Sequence, residues 1–254
     1  MPQTSENIPG SADAPTHRRR TLSFVRRSNN LKPSYQRAWD AALGKELLDV
    51  PSGERDTSVA EGFSIDWEQE FGRRHDVAGS GLIVEIGSGS GEAVAAAAAA
   101  SPHQDFIAVE VYRPGAAQLA ARLRREGLPN VRVACLDAVE LLDKLIPEGH
   151  LDELWIFFPD PWHKKKHNKR RLIQPPFTAK AARALRPGGR WRLATDWPHY
   201  AVQMRRVISE SAEFSNANQG WAPRFPGRVL TDFEAKAGEA GRKSFDLTFI
   251  RNSV

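Results

Sequence analysis

Apolar residues in this chain fall into short blocks, and the spacing within the blocks changes in a regular way. Leu82–Ile86, Phe106–Val109, Val131–Cys135, Leu151–Phe158 and Gly189–Ala194 are apolar runs of strand length. Between them lie segments of helical character: Gly91–Ala100, Gly115–Glu126, Val139–Leu145, Phe177–Leu185 and Tyr200–Ser209. Strands alternating with helices predict an α/β fold with a mostly parallel sheet covered on both faces. The last alternation, Phe245–Ile250, predicts a closing strand that runs antiparallel. Upstream, Tyr35, Ala38, Trp39 and Ala42 share one face of a helix expected over Ser34–Leu48, with Ser34 as its N-cap. Residues 51–64 are rich in Gly, Ser and Glu and read as a loop. Residues 1–30 carry few large apolar groups and read as disordered in isolation. The expected organisation is a basic tail over 1–33 followed by one domain over 34–254.

Composition narrows this picture. The chain has 254 residues, 41% of them hydrophobic and 26% charged, which is enough to bury a core. Its longest apolar stretch, Ala93–Ala100, is far short of the roughly 18 residues of a membrane helix. The N-terminus lacks a secretory pattern, and the only cysteine, Cys135, excludes an intramolecular disulfide framework and a cysteine-rich zinc site. A cytoplasmic setting is expected. The net charge of +5 is unevenly placed: residues 1–35 carry +4, residues 163–171 carry +6, and the rest carries −5. An acidic body with two basic segments points to a polyanionic partner, nucleic acid first.

The acids of that body follow a rule. Glu85 and Glu110 sit at the ends of the first two strands, and Asp137, Asp160 and Asp196 follow the next three. Ligands of an open α/β sheet bind at the carboxyl ends of its strands, so these acids should share one edge. The first strand leads into Gly87-Ser-Gly89-Ser-Gly91, where glycines permit a tight turn and close approach of a ligand. The spacing differs from the dinucleotide fingerprint, and Glu92 stands where its third glycine belongs. A pyrophosphate at this helix N-terminus would face a carboxylate. An adenosine bearing a positive charge fits better, and S-adenosylmethionine has that chemistry. Glu110 lies 23 residues after Gly87, suited to ribose hydroxyls, and Asp137 could accept from an adenine amino group.

The fourth strand ends in Phe158-Pro-Asp160-Pro-Trp162, followed at once by His163-Lys-Lys-Lys-His-Asn-Lys-Arg-Arg171. Two prolines stiffen the backbone around Asp160. Trp162 offers a face for a base to stack on, and six cations in nine residues suit phosphates. His163 and His167 have metal-pair spacing, but the lysines between them repel a cation and no third ligand is evident, so no metal is expected.

This segment resembles the signature of the bacterial tRNA (guanine-N7-)-methyltransferase family. Ser23–Arg27, Val84–Gly91, Glu110–Gly115, Ala194–Trp197, Thr231–Glu234 and Phe245–Phe249 resemble other parts of the family pattern, spanning about residues 21–251. The resemblance implies a Rossmann-like class I methyltransferase fold with a mostly parallel seven-stranded sheet and an antiparallel last strand. It implies methyl transfer from S-adenosylmethionine to guanine N7 in tRNA, in the variable loop at position 46. By position, Glu85, Gly87, Gly89, Gly91, Glu110 and Asp137 would bind the cofactor, and Asp160 would be catalytic. Lys164, Asp196, Thr231, Asp232, Phe233 and Glu234 would bind the substrate. Lys166, His167, Asn168, Lys169, Arg170 and Arg171 would bind RNA. The chain departs from the pattern at Tyr112, where the family often has His, and at Asp232, where Lys or Arg is common. The second exchange argues against a phosphate contact there. A monomer or weak homodimer is expected. The alternatives are a methyltransferase for a small molecule or another RNA, and a non-catalytic RNA-binding protein.

Overall fold

A computed structural model describes residues 30–73, 81–239 and 241–253. The side chains of Asp232, Phe233, Lys236 and Ala237 are outside that description, as are the N-terminal arginines 18, 19, 20, 26 and 27. Among the described residues the strands are β1 (Leu82–Ile86), β2 (Asp105–Val109), β3 (Val131–Ala134), β4 (Leu151–Phe157), β5 (Leu185–Thr195), β6 (Phe214–Asn216) and β7 (Phe245–Arg251). The helices are α1 (Pro33–Ala42), α2 (Trp67–Phe71), α3 (Glu92–Ala100), α4 (Arg113–Glu126), α5 (Ala138–Glu140), α6 (Pro175–Ala184), α7 (Pro198–Ser209) and α8 (Asp232–Glu239).

The strands form one sheet in the order β3-β2-β1-β4-β5-β7-β6. The pairs from β3 through β5 are parallel, and β7 is antiparallel to both β5 and β6. Chain order reverses between β1 and β4, which opens a crevice at their carboxyl ends. The strands are apolar on both faces because both faces are covered. Leu82, Val84 and Ile86 enter one core cluster and Ile83 the other, as strand alternation requires. The alanines of α3 are good helix formers, and Val94, Ala95 and Ala98 are buried against the second cluster.

Three expectations need correction. α1 begins at Pro33, a favoured first position, with Lys32 rather than Ser34 as N-cap. It stops at Ala42 instead of Leu48, and Gly44 follows with φ +69°. Residues 46–48 instead lie along β3: Val133 N donates to Glu46 O at 2.7 Å, and Leu48 N donates to Val133 O at 2.9 Å. That edge strand presents backbone groups that helix formation would leave unpaired. The helix expected over Val139–Leu145 is a single α-turn, α5, capped by Asp137 and continued as a wider turn over Leu141–Leu145. Finally, β5 is longer than Gly189–Ala194. Its register against β4 jumps between the Leu151–Leu185 and Glu153–Arg190 pairs, accommodating Pro187, Gly188 and Gly189 in an irregularity. The short elements β6, α2 and α8 carry no apolar run that would have announced them.

Candidate active site

The site starts at β1. Glu85 stands within that strand and is 4% exposed. Its Oε2 is buried with no hydrogen-bond partner among the described residues. Burial, with the nearby Glu110 charge adding to it, pushes the Glu85 carboxyl up to about 7. The glycine loop follows, and Gly87, Gly89 and Gly91 all have positive φ, which strains other residues. A Cβ on Gly87 or Gly89 would meet open space, whereas one on Gly91 would lie 2.0 Å from Leu119 Cδ1. The first two glycines therefore shape a cradle, and the third lets α4 pack close.

Glu110 holds that cradle in place. Its Oε2 accepts from Gly89 N at 2.9 Å and its Oε1 from Tyr112 N at 2.8 Å. Burial raises its carboxyl above the usual range, those backbone bonds oppose the rise, and the Asp160 charge contributes to it. Asp137 is buried, and its Oδ1 accepts from Val139 N at 2.8 Å.

Two cavities open on this edge. One, of about 440 Å³, lies between Glu85 with the glycine loop and Phe157, Phe158, Arg228 and Thr231. The other, of about 350 Å³, lies beside the ends of β2 and β3, walled by Trp39, Val111, Leu136 and Thr57. A buried acceptor lacking a partner, a glycine cradle and acids beside half-apolar walls fit a cationic, adenosine-bearing ligand such as S-adenosylmethionine.

β4 supplies the next part. Phe158 and Trp162 have φ of +49° and +46°, values that cost non-glycine residues about 1–3 kcal/mol each. Phe158 N donates to Ala194 O at 2.8 Å, which ties this segment to β5. Between the two strained aromatics, Asp160 is exposed and makes no hydrogen bond or ion pair with any described residue. Because β4 and β5 are adjacent and parallel, Asp160 and Asp196 emerge at the same edge.

The basic segment beyond Trp162 divides in two. It forms a tight helical turn over Lys165–Arg170, and Lys164 just before the turn and Lys165, Lys166 and Lys169 on it are exposed. Arg171 is 1% exposed and points inward. Its Nε donates to Pro161 O at 2.7 Å, its guanidinium reaches His199 Nδ1 and Gln203 Oε1, and it lies over the Tyr200 ring. Desolvation lowers its pKa. It therefore anchors the loop, and the expectation that it meets RNA phosphate is corrected. Trp162 is only 8% exposed, with Arg170 over its ring at 5.0 Å and His167 against it edge-on. It supports the loop from beneath and offers no open face to a base. Asn168 also turns inward: its Oδ1 is buried without a hydrogen-bond partner.

Thr231 borders the larger cavity, and its Oγ1 accepts from Glu234 N at 3.2 Å, capping α8. Burial pushes the Glu234 carboxyl up, but hydrogen bonds from Arg224 and Arg228 outweigh it and hold the group below the usual range. Arg228 is itself buried, bridges Glu234 at 2.8 Å and Asp246 at 2.6 Å, and lies 5.2 Å from the centre of the Phe158 ring. Asp196 pairs with Arg242 at 2.9 Å, and the Trp197 ring lies 4.2 Å from that of His163. Neither Arg228 nor Arg242 had a sequence signal, because each acts on a partner brought close only by folding. Among the described residues no group of three His, Cys, Asp or Glu side chains is placed to hold a metal ion. No described helix is long and apolar enough to cross a membrane.

The family model described as "Putative methyltransferase" matches residues 80–247. A tRNA (guanine-N(7)-)-methyltransferase of Paenarthrobacter aurescens (strain TC1) is 42% identical over 291 residues, covering 95% of this chain and 95% of that one. One from Ralstonia nicotianae (strain ATCC BAA-1114 / GMI1000) is 44% identical, covering 94% of this chain and 89% of its own. One from Cutibacterium acnes (strain DSM 16379 / KPA171202) is 45% identical, covering 92% and 84%. Among solved structures, the 16S rRNA methyltransferase KamB superposes with a TM-score of 0.57 at 18% identity, over 80% of this chain and 99% of that one, which shows the fold. By these matches the chain belongs to the tRNA (guanine-N(7)-)-methyltransferase family.

Proposed function

We propose that the chain transfers a methyl group from S-adenosylmethionine to N7 of a guanine in tRNA, in the variable loop, forming 7-methylguanosine. The observation that carries this reading is one shared edge. It joins the glycine cradle and the buried Glu85 Oε2, which lacks a hydrogen-bond partner among the described residues, to Asp160, which pairs with no described residue, with four exposed lysines directly beyond. S-adenosylmethionine supplies an activated methyl on a sulfonium. Glu85, Gly87, Gly89, Gly91, Glu110 and Asp137 would hold it, Glu85 towards its cationic end and Glu110 and Asp137 towards its adenosine.

Guanine N7 has a free lone pair at neutral pH, so no base is needed to expose it. The chain's task is positioning and the handling of charge. Positive charge moves onto the purine as N7 is alkylated, and Asp160 stabilises it there. Asp196 accepts from the guanine edge, and Thr231 and the start of α8 close the substrate side. Glu234 contributes through Arg224 and Arg228, which keep that segment in place. Lys164, Lys165, Lys166 and Lys169 hold the phosphates around the target. A tRNA substrate puts this work in the cytoplasm.

The test is incubation of unmodified tRNA with S-adenosylmethionine, followed by nucleoside analysis. The expected product is 7-methylguanosine in tRNA, and methylation of free guanosine alone, or at another atom, overturns the proposal. Asp160→Asn should bind the cofactor normally and lose about 100-fold or more in turnover. Unchanged turnover in that variant removes Asp160 from the chemistry.

A further inference from the structure

Asp196 does not stand alone at its strand end. Arg242, in the turn before β7, brings Nε to 2.9 Å from Asp196 Oδ2. The sheet sets this meeting. Thr195 and Phe245 are paired in the antiparallel β5–β7 ladder, so Asp196 and the residues just before β7 come together at the edge. Asp196 is 11% exposed and Arg242 is 46% exposed. Among the described residues, Asp196 Oδ1 and the terminal amino groups of Arg242 have no further hydrogen bond or ion pair. An ion pair whose arginine is half-exposed adds little to stability. What it does provide is a donor and an acceptor held side by side at the substrate edge.

We infer that this pair reads the target base: Arg242 donates to guanine O6 while Asp196 accepts from N1–H and the 2-amino group. The inference rests on Asp196 being a guanine-binding acid. Guanine presents an acceptor, O6, next to two donors, N1–H and the 2-amino group. The Arg242–Asp196 pair presents the complementary order. Adenine reverses the pattern, setting its 6-amino group against a guanidinium and its N1 lone pair against a carboxylate. Both polar groups of the protein are then left unsatisfied, which is the effective way to reject a similar base. The arrangement also spares the nucleophile. An arginine bidentate to O6 and N7, the common major-groove contact, would mask N7. With Nε committed to Asp196, the guanidinium reaches O6 from the N1 side. As N7 gains its methyl, N1–H becomes more acidic, which strengthens its hydrogen bond to the Asp196 carboxylate.

The experiment compares tRNA transcripts carrying guanosine or 6-thioguanosine at the target position. The sulfur analogue keeps N1–H and the 2-amino group but weakens the acceptor at position 6. Arg242→Met should lower kcat/KM on guanosine about tenfold or more, and far less on 6-thioguanosine. Arg242→Lys should fall between Met and wild type. Asp196→Asn should lower kcat/KM on both substrates. Equal losses for Arg242→Met on the two transcripts, or no loss on either, overturn the assignment of Arg242 to O6. Wild-type kcat/KM in Asp196→Asn instead removes the reading on which the assignment rests. Calorimetry with S-adenosylmethionine accompanies each variant, since cofactor affinity should stay at the wild-type value when only base reading is lost.

Discussion

Arg171 donates from Nε to the carbonyl oxygen of Pro161, 2.7 Å away and ten residues back in the chain. This bond closes the basic loop on itself. It ties the end of the cationic run to the strained segment that carries Asp160, and through His199 and Gln203 to α7. The loop's orientation thus depends on the one cation that is hidden.

Arg171→Met should therefore behave as a folding variant. Loss of these buried hydrogen bonds should reduce stability by about 2–3 kcal/mol in urea denaturation. The salt slope of tRNA binding should stay at the wild-type value, because no phosphate contact is removed. A lower slope with unchanged stability would place Arg171 on the RNA surface after all.

The exposed lysines should show the opposite behaviour. Replacing Lys164, Lys165 and Lys166 together by alanine removes three surface cations and should leave the denaturation midpoint near wild type. The slope of log binding constant against log salt should become shallower by about 2–3. Filter binding across a salt series measures this directly.

Glu85 makes stability and cofactor affinity depend on pH. Its carboxyl is raised from 4.5 to about 7 by burial, so the folded state holds a proton that the unfolded state gives up earlier. The associated stability is present below pH 4.5 and is lost as pH rises through about 7. Glu85→Gln should abolish this component, worth about 3 kcal/mol across the window. A cationic ligand favours the ionised carboxylate. S-adenosylmethionine should accordingly bind more tightly at pH 8 than at pH 6, releasing a proton at the lower pH, and Glu85→Gln should lose that difference. Calorimetry in buffers of different ionisation enthalpy reads the proton release.

The glycines of the cradle should separate by role. Gly91→Ala meets Leu119 at 2.0 Å and carries φ +73°, so it should destabilise the fold by about 2–4 kcal/mol. Gly87→Ala meets no neighbouring atom and should cost only about 1–2 kcal/mol for its left-handed backbone. Its methyl group projects into the space a ligand needs, so cofactor affinity should fall more than stability does. Thermal denaturation with and without S-adenosylmethionine distinguishes the two.

Much of this protein is legible in one dimension. Strand and helix periods leave a repeating mark, because each buried face needs apolar residues at fixed spacing, and all the strands from Leu82–Ile86 to Gly189–Ala194 were visible in that way. The glycine cradle, the strand-end acids and the Pro-Asp160-Pro segment were visible too, because each depends on the chain's own local geometry. Long-range choices left no such mark. Composition places six cations after Trp162, but only packing decides that four lysines face water while Arg171 turns to Pro161. Trp162 looks like a platform in sequence and is a support in the fold, since Arg170 and His167 cover it. The Arg228 clamp on Glu234 and Asp246 and the Arg242–Asp196 pair join residues from 6 to 46 positions apart. Local periodicity says which side of an element is buried. It does not say which charged side chain will find its partner there, because that is settled by strand order and register, and those exist only once the sheet has formed.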